Sequence, residues 1–503
     1  MRVRNNPRII FAFDPAVAAE HPDGHLAGSL RLEIPTAHIT FIRFGSHRER
    51  REVPRKQLGS SFDMTLDSLL SRPVNMRSLR LLGEFKADAG FERFRFLALK
   101  LLNRKDLTGT FRFLDREVLL AGALAGVMTF LDERKVDLVV FDVTPHEFTQ
   151  FVLWSVLQWM GTQVLFFQPS PIAPAMLART NLATTFAPKQ AVVSRSTVCA
   201  NILATATQSI DVLLEGLDPS YMKTYHQRDR RVMNPLHKLI ALRASIGWLF
   251  KDRFPESIDF SGHGHRQGIF TRALKIFLAR SLSRTMRKAV FSLKPKGELS
   301  EKYCVFALHY EPERTSLPEG LPIDFQADGV AAARSIIPEA LTLVVKEHYS
   351  QQTSGLRGFA GRSPNFYRLV DNFPNTVFAD TRERLSELVG QAQCVFTLTG
   401  TVAIEAVLKG VPVAYFGNPW WGGLPGTKRL DQLTLFEDVV DQEMPDKDEV
   451  VSFLLDLTLH RMIPGIASAS AESIEKILGP LPAGFAAEEA RSITACISKV
   501  LRQ

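Results

Sequence analysis

Short apolar runs rich in β-branched and aromatic residues alternate with helical patterns in two separate parts of the chain. In the first part the runs are RIIFAF, AHITFIRF, VDLVVFDV and TQVLFFQP. After residue 302 they are YCVFALHY, ALTLVVKEH, NTVFADT, CVFTLTG and VPVAYFG. Between them, stretches such as 119–131 and 147–160 repeat apolar residues at helical spacing. This alternation is typical of βαβ units, so each part is predicted to form a parallel sheet covered by helices.

The alternation predicts four segments and a two-domain α/β fold. We expect a Rossmann-like first domain over residues 1–188, a basic helical insert over 189–299, a second Rossmann-like domain over 300–447 and C-terminal helices over 448–503. Two doubly wound domains arranged in this way place a ligand crevice between them, at the carboxyl ends of the strands.

Composition narrows the class of protein. The chain has 503 residues, 45% of them hydrophobic and 23% charged, which is typical of a globular protein. Its four cysteines lie far apart and form no CxxC or Cys/His cluster, so neither a zinc site nor a disulfide framework is predicted. The first apolar run is too short for a signal peptide, and no apolar stretch is long enough to span a bilayer. A cytoplasmic protein is therefore expected.

The charge indicates an acidic partner without identifying it. The net charge is +8, which favours nucleotide phosphates, anionic glycans, anionic lipid or nucleic acid. Nucleic acid is not expected, because no zinc-finger, RNP or helix-turn-helix signature is present. No DxD pair suits a divalent ion, so neither a metal nor another cofactor is predicted.

Polar residues follow three of the strands predicted in the second domain. Thr399, Gly400 and Thr401 form a turn between a strand and a short helix, where a glycine allows a close backbone approach and a helix N-terminus attracts anions. The alternative is that Thr401 only caps that helix. The segments HYEPERTSLPEG and VVKEH follow two other strands, and together the three strand ends predict an anion-binding site.

These segments, read in order, resemble a known family. HYEPERTSLPEG, VVKEH, GRSPNFYRLV and FTLTGTVAIEAVLKGVPVAYFGNPWW are similar to bacterial capsule and surface-polysaccharide biosynthesis proteins, which are related to GT-B transferases of Kdo or sialic acid. The resemblance covers about residues 300–430 and, more loosely, 136–175, where VDLVVFDVTPHEF is similar to the family's TPH turn. One departure is His348-Tyr349, where the family usually has His-Pro.

The resemblance implies a glycosyltransferase whose second domain binds a nucleotide sugar, with a CMP-sugar favoured. Its donor-binding residues would be His309, Thr315, Ser316, Lys346, Glu347, His348, Thr399, Gly400, Thr401 and Glu405. The Thr-Gly-Thr turn and His348 would contact the donor phosphate, and Glu405 would reach the ribose. Solvated surface residues are the alternative for Lys346 and Glu405.

Catalysis requires a group that manages the acceptor hydroxyl or the developing positive charge on the sugar. Asp142 and His146 follow a strand of the first domain, and either one is a candidate general base. Glu313 in the second domain is a rival carboxylate. The alternative for Asp142 and His146 is helix capping around a Thr-Pro turn.

A basic helix in the insert suggests a membrane partner. Residues 266–296 contain nine Lys or Arg and no acidic residue. An apolar stripe runs through Leu274, Leu278, Leu282, Met286 and Val290. This pattern suits a helix on an anionic membrane, which would place the enzyme on the inner face of the plasma membrane near a polysaccharide or lipid-linked acceptor. The alternative is an amphipathic helix packed on the domains.

Two other functions remain open. A nucleotide-sugar 2-epimerase would use the same scaffold with carboxylates and histidine on both walls of the cleft. A non-catalytic glycan-binding or export-accessory protein would bind glycan without turning over any nucleotide sugar.

Overall fold

The structure is a computed structural model. It describes residues 6–12, 25–43, 60–64, 66–104, 112–183, 197–215, 269–293, 302–351, 358–381, 383–466 and 471–503. Parts of the predicted insert and of the basic segment 266–296 therefore lie outside the described residues.

The first domain is built on a seven-stranded sheet in the order β13-β6-β5-β4-β1-β2-β3. Its strands are β1 Arg8–Phe11, β2 His38–Arg43, β3 Ser60–Asp63, β4 Leu138–Phe141, β5 Gln163–Pro169, β6 Ala175–Arg179 and β13 Ile463–Pro464. Strands β1 to β5 pair in parallel, whereas β6 runs antiparallel to both β5 and β13. The central strands are buried on both faces, as expected for a sheet covered by helices.

The helices of the first domain cover this sheet. They are α1 His25–Glu33, α2 Leu66–Leu70, α3 Met76–Ala87, α4 Phe91–Asn103, α5 Phe113–Glu133 and α6 Phe148–Trp159. Helix α5 contains the helical stretch predicted at 119–131, and α6 covers all but the first and last residues of the stretch predicted at 147–160.

The second domain has a six-stranded parallel sheet in the order β12-β11-β10-β7-β8-β9. Its strands are β7 Tyr303–Ala307, β8 Thr342–Lys346, β9 Thr376–Phe378, β10 Val395–Thr397, β11 Val413–Tyr415 and β12 Thr427–Arg429. The helices between them are α9 Gln326–Ile336, α10 Pro364–Asp371, α11 Leu385–Gly390 and α12 Val402–Leu408, and α13 Glu437–Val440 follows the last strand. The predicted pair of doubly wound α/β domains is confirmed.

The insert contributes helices α7 Thr197–Leu214 and α8 Ile269–Phe291 to the described part of the chain. The predicted apolar stripe of α8 is divided between two environments. Met286 and Val290 are buried in the core of the second domain, whereas Leu274 and Leu282 are exposed. Phe277, which lies outside the predicted stripe, is also exposed.

The predicted helical C-terminal tail is confirmed, with one addition. It contains α14 Lys447–Asp456, a π-helical turn Leu457–Arg461, α15 Ala471–Leu478 and α16 Phe485–Arg502. The chain also returns to the first domain, because β13 joins the first sheet and α16 buries Ile497 and Val500 in the same core as Ile9 and Leu30. The C-terminal segment therefore packs against both domains.

Candidate functional site

Three loops meet at the carboxyl edge of the second sheet because the strands before them are in register. Ala307 of β7 pairs with Lys346 of β8 on one side and with Thr397 of β10 on the other. His309, His348 and Thr399 each follow two residues after one of these aligned positions. The predicted strand-end residues are thus placed side by side in the fold.

The contacts of His309 fix which of its nitrogens carries the proton. Thr399 N–H donates to His309 Nε2 at 3.2 Å, so Nε2 is an acceptor. The Thr399 hydroxyl lies 3.1 Å from the same nitrogen but gives its proton to the Thr315 carbonyl at 2.8 Å. Burial lowers the His309 pKa to about 3, so the ring is neutral and its single proton is on Nδ1. Nδ1 is buried and has no hydrogen-bond partner among the described residues.

His348 has the complementary arrangement. Its Nδ1 accepts the Ser350 N–H at 3.1 Å, and burial lowers its pKa to about 4. The proton of the neutral ring is therefore on Nε2. In each histidine, therefore, one ring nitrogen accepts a backbone N–H and the other ring nitrogen carries the proton. The charge of His348 would lower the pKa of His309, as expected for neighbouring rings.

The Thr-Gly-Thr turn packs closely against His309. A β-carbon at Gly400 would lie 2.7 Å from Thr397 Oγ1 and 3.4 Å from His309 Cε1, so only glycine fits without displacement. Gly400 N–H donates to Thr397 Oγ1 at 3.3 Å. The Thr401 side chain makes no capping hydrogen bond to α12, so the capping alternative does not account for it. Glu405 is half-buried in the first turn of that helix.

A buried ionic network lies beneath the two histidines. Arg362 pairs with Glu311 and, at 3.3 Å, with Glu347, and it donates to the His309 carbonyl at 2.9 Å. The Tyr367 hydroxyl donates to Glu347 at 2.7 Å. Arg362 was absent from the predicted site, although it belongs to the GRSPNFYRLV segment. Its partners, 15 and 51 residues away, could not be read from spacing.

The other predicted donor-site residues are also engaged within the protein. Both Glu347 oxygens are occupied, because Oε1 accepts the His348 N–H at 2.8 Å. Lys346 donates to the Asp380 carbonyl at 2.6 Å, and burial lowers its pKa to about 8. The Thr315 and Ser316 hydroxyls both donate to Glu313, to its carboxylate at 2.9 Å and to its carbonyl at 2.8 Å. These residues shape the loops around the histidines.

The first domain faces these loops with the segment that follows β4. Asp142 comes directly after that strand. The Nδ1–H of His146 donates to the Thr144 carbonyl at 2.9 Å, which leaves Nε2 as the unprotonated nitrogen. The surrounding protein desolvates the ring, and Arg104 and Arg314 add positive charge, so the His146 pKa falls to about 4. His146 therefore presents a lone pair, as a base requires.

Glu313 reaches the same cleft from the second domain. Its side chain is exposed, yet protein lies around it on both sides of the cleft, and this desolvation raises the pKa of its carboxyl group. The second domain thus contributes a carboxyl group with a raised pKa, opposite the neutral imidazole of His146.

Two buried residues join the walls of the cleft, and neither was predicted. Arg104, at the end of α4, donates to the His146 carbonyl at 2.9 Å and to the Glu313 and Leu317 carbonyls at 2.8 and 3.1 Å. Glu319 accepts the Thr144 hydroxyl of the first domain at 2.7 Å. Because these partners lie 42 to 213 residues apart, sequence spacing carries no signal of them.

Within the described residues, no group of three or more His, Cys, Asp or Glu side chains is arranged to hold a metal ion. A search of the same residues finds no helix with the length and apolar character needed to cross a membrane.

Comparisons with known proteins give matches in structure only. No protein-family model matches the chain, and no curated protein matches it. A KpsC β-Kdo 2,7-transferase of Thermosulfurimonas dismutans is 12% identical, covers 74% of this chain and 97% of its own, and has a TM-score of 0.28. A UDP-GlcNAc 2-epimerase of Methanocaldococcus jannaschii is 11% identical, covers 98% and 99%, and has a TM-score of 0.20.

A third similar structure is the glycosyltransferase SnogD of Streptomyces nogalater. It is 12% identical, covers 98% of this chain and 99% of its own, and has a TM-score of 0.20. Because these identities and TM-scores are low, the likeness carries no conclusion about the substrate or reaction of this chain.

Proposed function

We propose that the protein is a glycosyltransferase that moves a sugar from a nucleotide-sugar donor to a surface polysaccharide or lipid-linked acceptor without a metal ion. The observation that carries the proposal is the pair of neutral histidines, His309 and His348, at adjacent strand ends. Each has a backbone N–H on one nitrogen and a proton on the other. The buried Nδ1–H of His309 has no partner among the described residues, and a buried donor of this kind requires a ligand acceptor such as a phosphate oxygen.

The donor phosphate would lie against His309, His348 and the Thr-Gly-Thr turn. Thr399 then acts mainly through His309, since its hydroxyl and its N–H are both used within the protein. Glu347, Lys346 and Arg362 hold the loops in place from below. Two imidazole N–H donors, each held by a backbone contact, would stabilise the charge that develops on the leaving phosphate.

The first domain would bind the acceptor. His146 Nε2 takes the proton of the acceptor hydroxyl, whose oxygen attacks the anomeric carbon while the bond from that carbon to the phosphate oxygen breaks. A bound anionic donor raises the His146 pKa and makes it a stronger base. Asp142 is the alternative base. Glu313, whose carboxyl group has a raised pKa, is the other carboxyl group proposed for the catalytic centre.

The resemblance and the charge of the chain suggest which donor sugar and which acceptor the protein uses. We propose a CMP-activated acidic sugar such as Kdo as the leading donor. The acceptor is a growing surface glycan at the inner face of the plasma membrane, where helix α8 contacts anionic lipid.

Thermal-shift titration with CMP, UDP and GDP, with and without Mg²⁺, tests the proposal. At least one nucleotide is expected to raise the melting temperature equally with and without Mg²⁺. The Thr399→Val and Thr401→Val double variant should lose this shift, whereas the exposed Arg368→Gln variant should keep it. No shift with any nucleotide contradicts the transferase proposal.

The epimerase alternative is favoured by one observation, since His146 and Glu313 place titratable groups on both walls of the cleft. Proton NMR after incubation with UDP-GlcNAc and no acceptor distinguishes an epimerase from a transferase. A second sugar epimer would establish the epimerase, and an unchanged sugar is expected for the transferase. Glycan binding with no nucleotide turnover would instead indicate an accessory protein.

A further inference from the structure

Arg314 is the cleft residue whose contacts leave most of its binding capacity unused. Its Nε lies 3.1 Å from Glu319 Oε1, and its side chain is 19% exposed. In the part of the chain that the structure describes, the guanidinium makes no other ion pair and no hydrogen bond of good geometry. An arginine has five N–H donors, so nearly all of them face solvent or the cleft.

The anchor of Arg314 is rigid. Glu319 is 2% exposed, and the Thr144 hydroxyl of the first domain donates to its Oε1 at 2.7 Å. The main chain adds a second tie, because Glu319 N–H donates to the Arg314 carbonyl at 3.2 Å. A guanidinium fixed through Nε keeps its two Nη groups in a set direction, which suits bidentate binding.

Arg314 also lies close to both candidate catalytic groups. Its positive charge acts on His146 in the first domain and on Glu313 in its own domain. It follows Glu313 directly and precedes Thr315, whose carbonyl holds the Thr399 hydroxyl. Arg314 therefore lies close to the proposed base, and the residue after it contacts the Thr-Gly-Thr turn of the proposed phosphate site.

A purely structural role explains these contacts less well. Glu319 already has the Thr144 hydroxyl as a donor, and a structural arginine in this cleft is expected to use several donors, as Arg104 does with three carbonyls. Among the described residues, the Arg314 guanidinium instead has one polar contact and an accessible end. We propose that Arg314 binds an oxyanion of the substrate, either the phosphate of the nucleotide sugar or the carboxylate of an acidic sugar. This inference rests on the proposed transferase function.

Isothermal titration calorimetry with paired probes tests the inference and distinguishes the two sources. The probes are CMP and cytidine, UDP and uridine, and CMP-N-acetylneuraminic acid. The Arg314→Gln variant is expected to bind the relevant anionic probe about ten- to a hundredfold more weakly, as for loss of a charged hydrogen bond. Arg314→Lys keeps the charge near Glu319 but lacks the fork, and is expected to fall between the wild type and Arg314→Gln.

The pattern of losses identifies the oxyanion. Weaker binding of CMP or UDP, with cytidine and uridine unchanged, assigns the phosphate. Weaker binding of CMP-N-acetylneuraminic acid alone, with CMP unchanged, assigns the carboxylate. The exposed Arg368→Gln variant serves as the control and should bind all probes as the wild type does.

Two negative results lead to different conclusions about the two proposals. If the wild type binds a nucleotide and Arg314→Gln binds every anionic probe equally well, the inference is overturned while the transferase proposal stands. If the wild type binds none of the probes and shows no thermal shift with CMP, UDP or GDP, both proposals are overturned. A melting temperature of Arg314→Lys close to that of the wild type shows that the fold is intact.

Discussion

Three histidines on the cleft walls, His146, His309 and His348, are kept neutral mainly by burial. Their pKa values fall to about 4, 3 and 4. Neutrality matters because it fixes one proton on each ring and so decides which nitrogen donates and which accepts. The proposed chemistry needs donors at His309 and His348 and an acceptor at His146, and the backbone contacts of each ring supply that assignment.

The depressed pKa of His309 gives a prediction about stability. An unfolded histidine binds a proton near pH 6.5, whereas the folded ring does so only near pH 3, so acidification favours the unfolded state throughout that window. The His309→Asn variant has no titrating group at position 309, whereas His146 and His348 titrate in both proteins. The free energy of unfolding of the wild type should therefore fall by about 2 kcal/mol more than that of the variant between pH 7.5 and pH 5, at roughly 1.4 kcal/mol per pKa unit.

Urea unfolding at pH 7.5, 6 and 5 measures this difference. His460→Asn is the matched control, because His460 is exposed on the π-helical turn at residues 457–461. That variant should follow the pH dependence of the wild type. Parallel curves for the wild type and His309→Asn would contradict the assignment of a neutral, buried His309.

Residue types at strand ends could be predicted from the sequence, but their partners could not. His309, His348 and Thr399 stand out because each lies two residues after the end of a short strand, and parallel strands bring such ends together. Arg104 and Glu319 act through contacts that span 209 and 175 residues. No local pattern records such contacts, so the residues that join the cleft walls emerge only from the fold.

At the scale of elements, strong periodic segments were predictable and weak ones were not. The nine apolar runs all form strands of the two sheets. Strand β12, with the sequence TKR, has no apolar residue, and β13 has two residues that pair only because α16 brings the tail to the first domain. Their existence depends on neighbours rather than on their own composition.

The two ends of helix α8 lie in different environments, although its apolar and basic residues follow one pattern throughout the sequence. Its 23 residues include six basic and no acidic residues. The buried end holds Met286 and Val290 in the second domain, while Leu274 is 56% and Phe277 64% exposed. Exposed apolar side chains beside basic ones are typical of a surface that contacts anionic lipid. The proposed membrane face is therefore the outer side of α8.

Flotation with vesicles that contain phosphatidylserine tests that face. Loss of two apolar side chains from the interface should weaken binding about tenfold or more, because each contributes roughly 1.5–3 kcal/mol when fully buried. The Leu274→Ser and Phe277→Ser double variant is thus expected to float much less than the wild type. Binding should also fall as salt rises.

Met286→Ala is the matched control for this helix. It should lower the melting temperature, because Met286 is 3% exposed in the core, but leave flotation unchanged. Equal flotation of the wild type and the double variant would show that α8 is not the membrane contact.

At the scale of the whole molecule, the cleft depends on how the two domains are joined. Arg104 and Glu319 connect them across the site, and Gln168 and Arg179 of the first domain donate to the Asn418 and Pro419 carbonyls at 3.1 Å each. The returning C-terminal helix adds a second connection away from the site. The proposed catalytic centre of His146 and Glu313 depends on both connections, since each residue comes from a different domain.

Removal of residues 485–503 tests the contribution of α16. The deletion uncovers the face of the first domain against which Ile497 and Val500, 0% and 1% exposed, are packed. We expect backbone amides of β1 and β4 to lose most of their protection in hydrogen exchange, whereas those of β7, β8 and β10 stay protected.

Because the proposed phosphate site lies wholly in the second domain, the truncated chain should still show a nucleotide-dependent thermal shift while losing transfer activity. The Arg502→Ala variant, which loses only an exposed ion pair with Glu33 at 3.7 Å, should behave as the full chain. Unchanged protection of β1 and β4 after truncation would mean that the first domain folds without its returning helix.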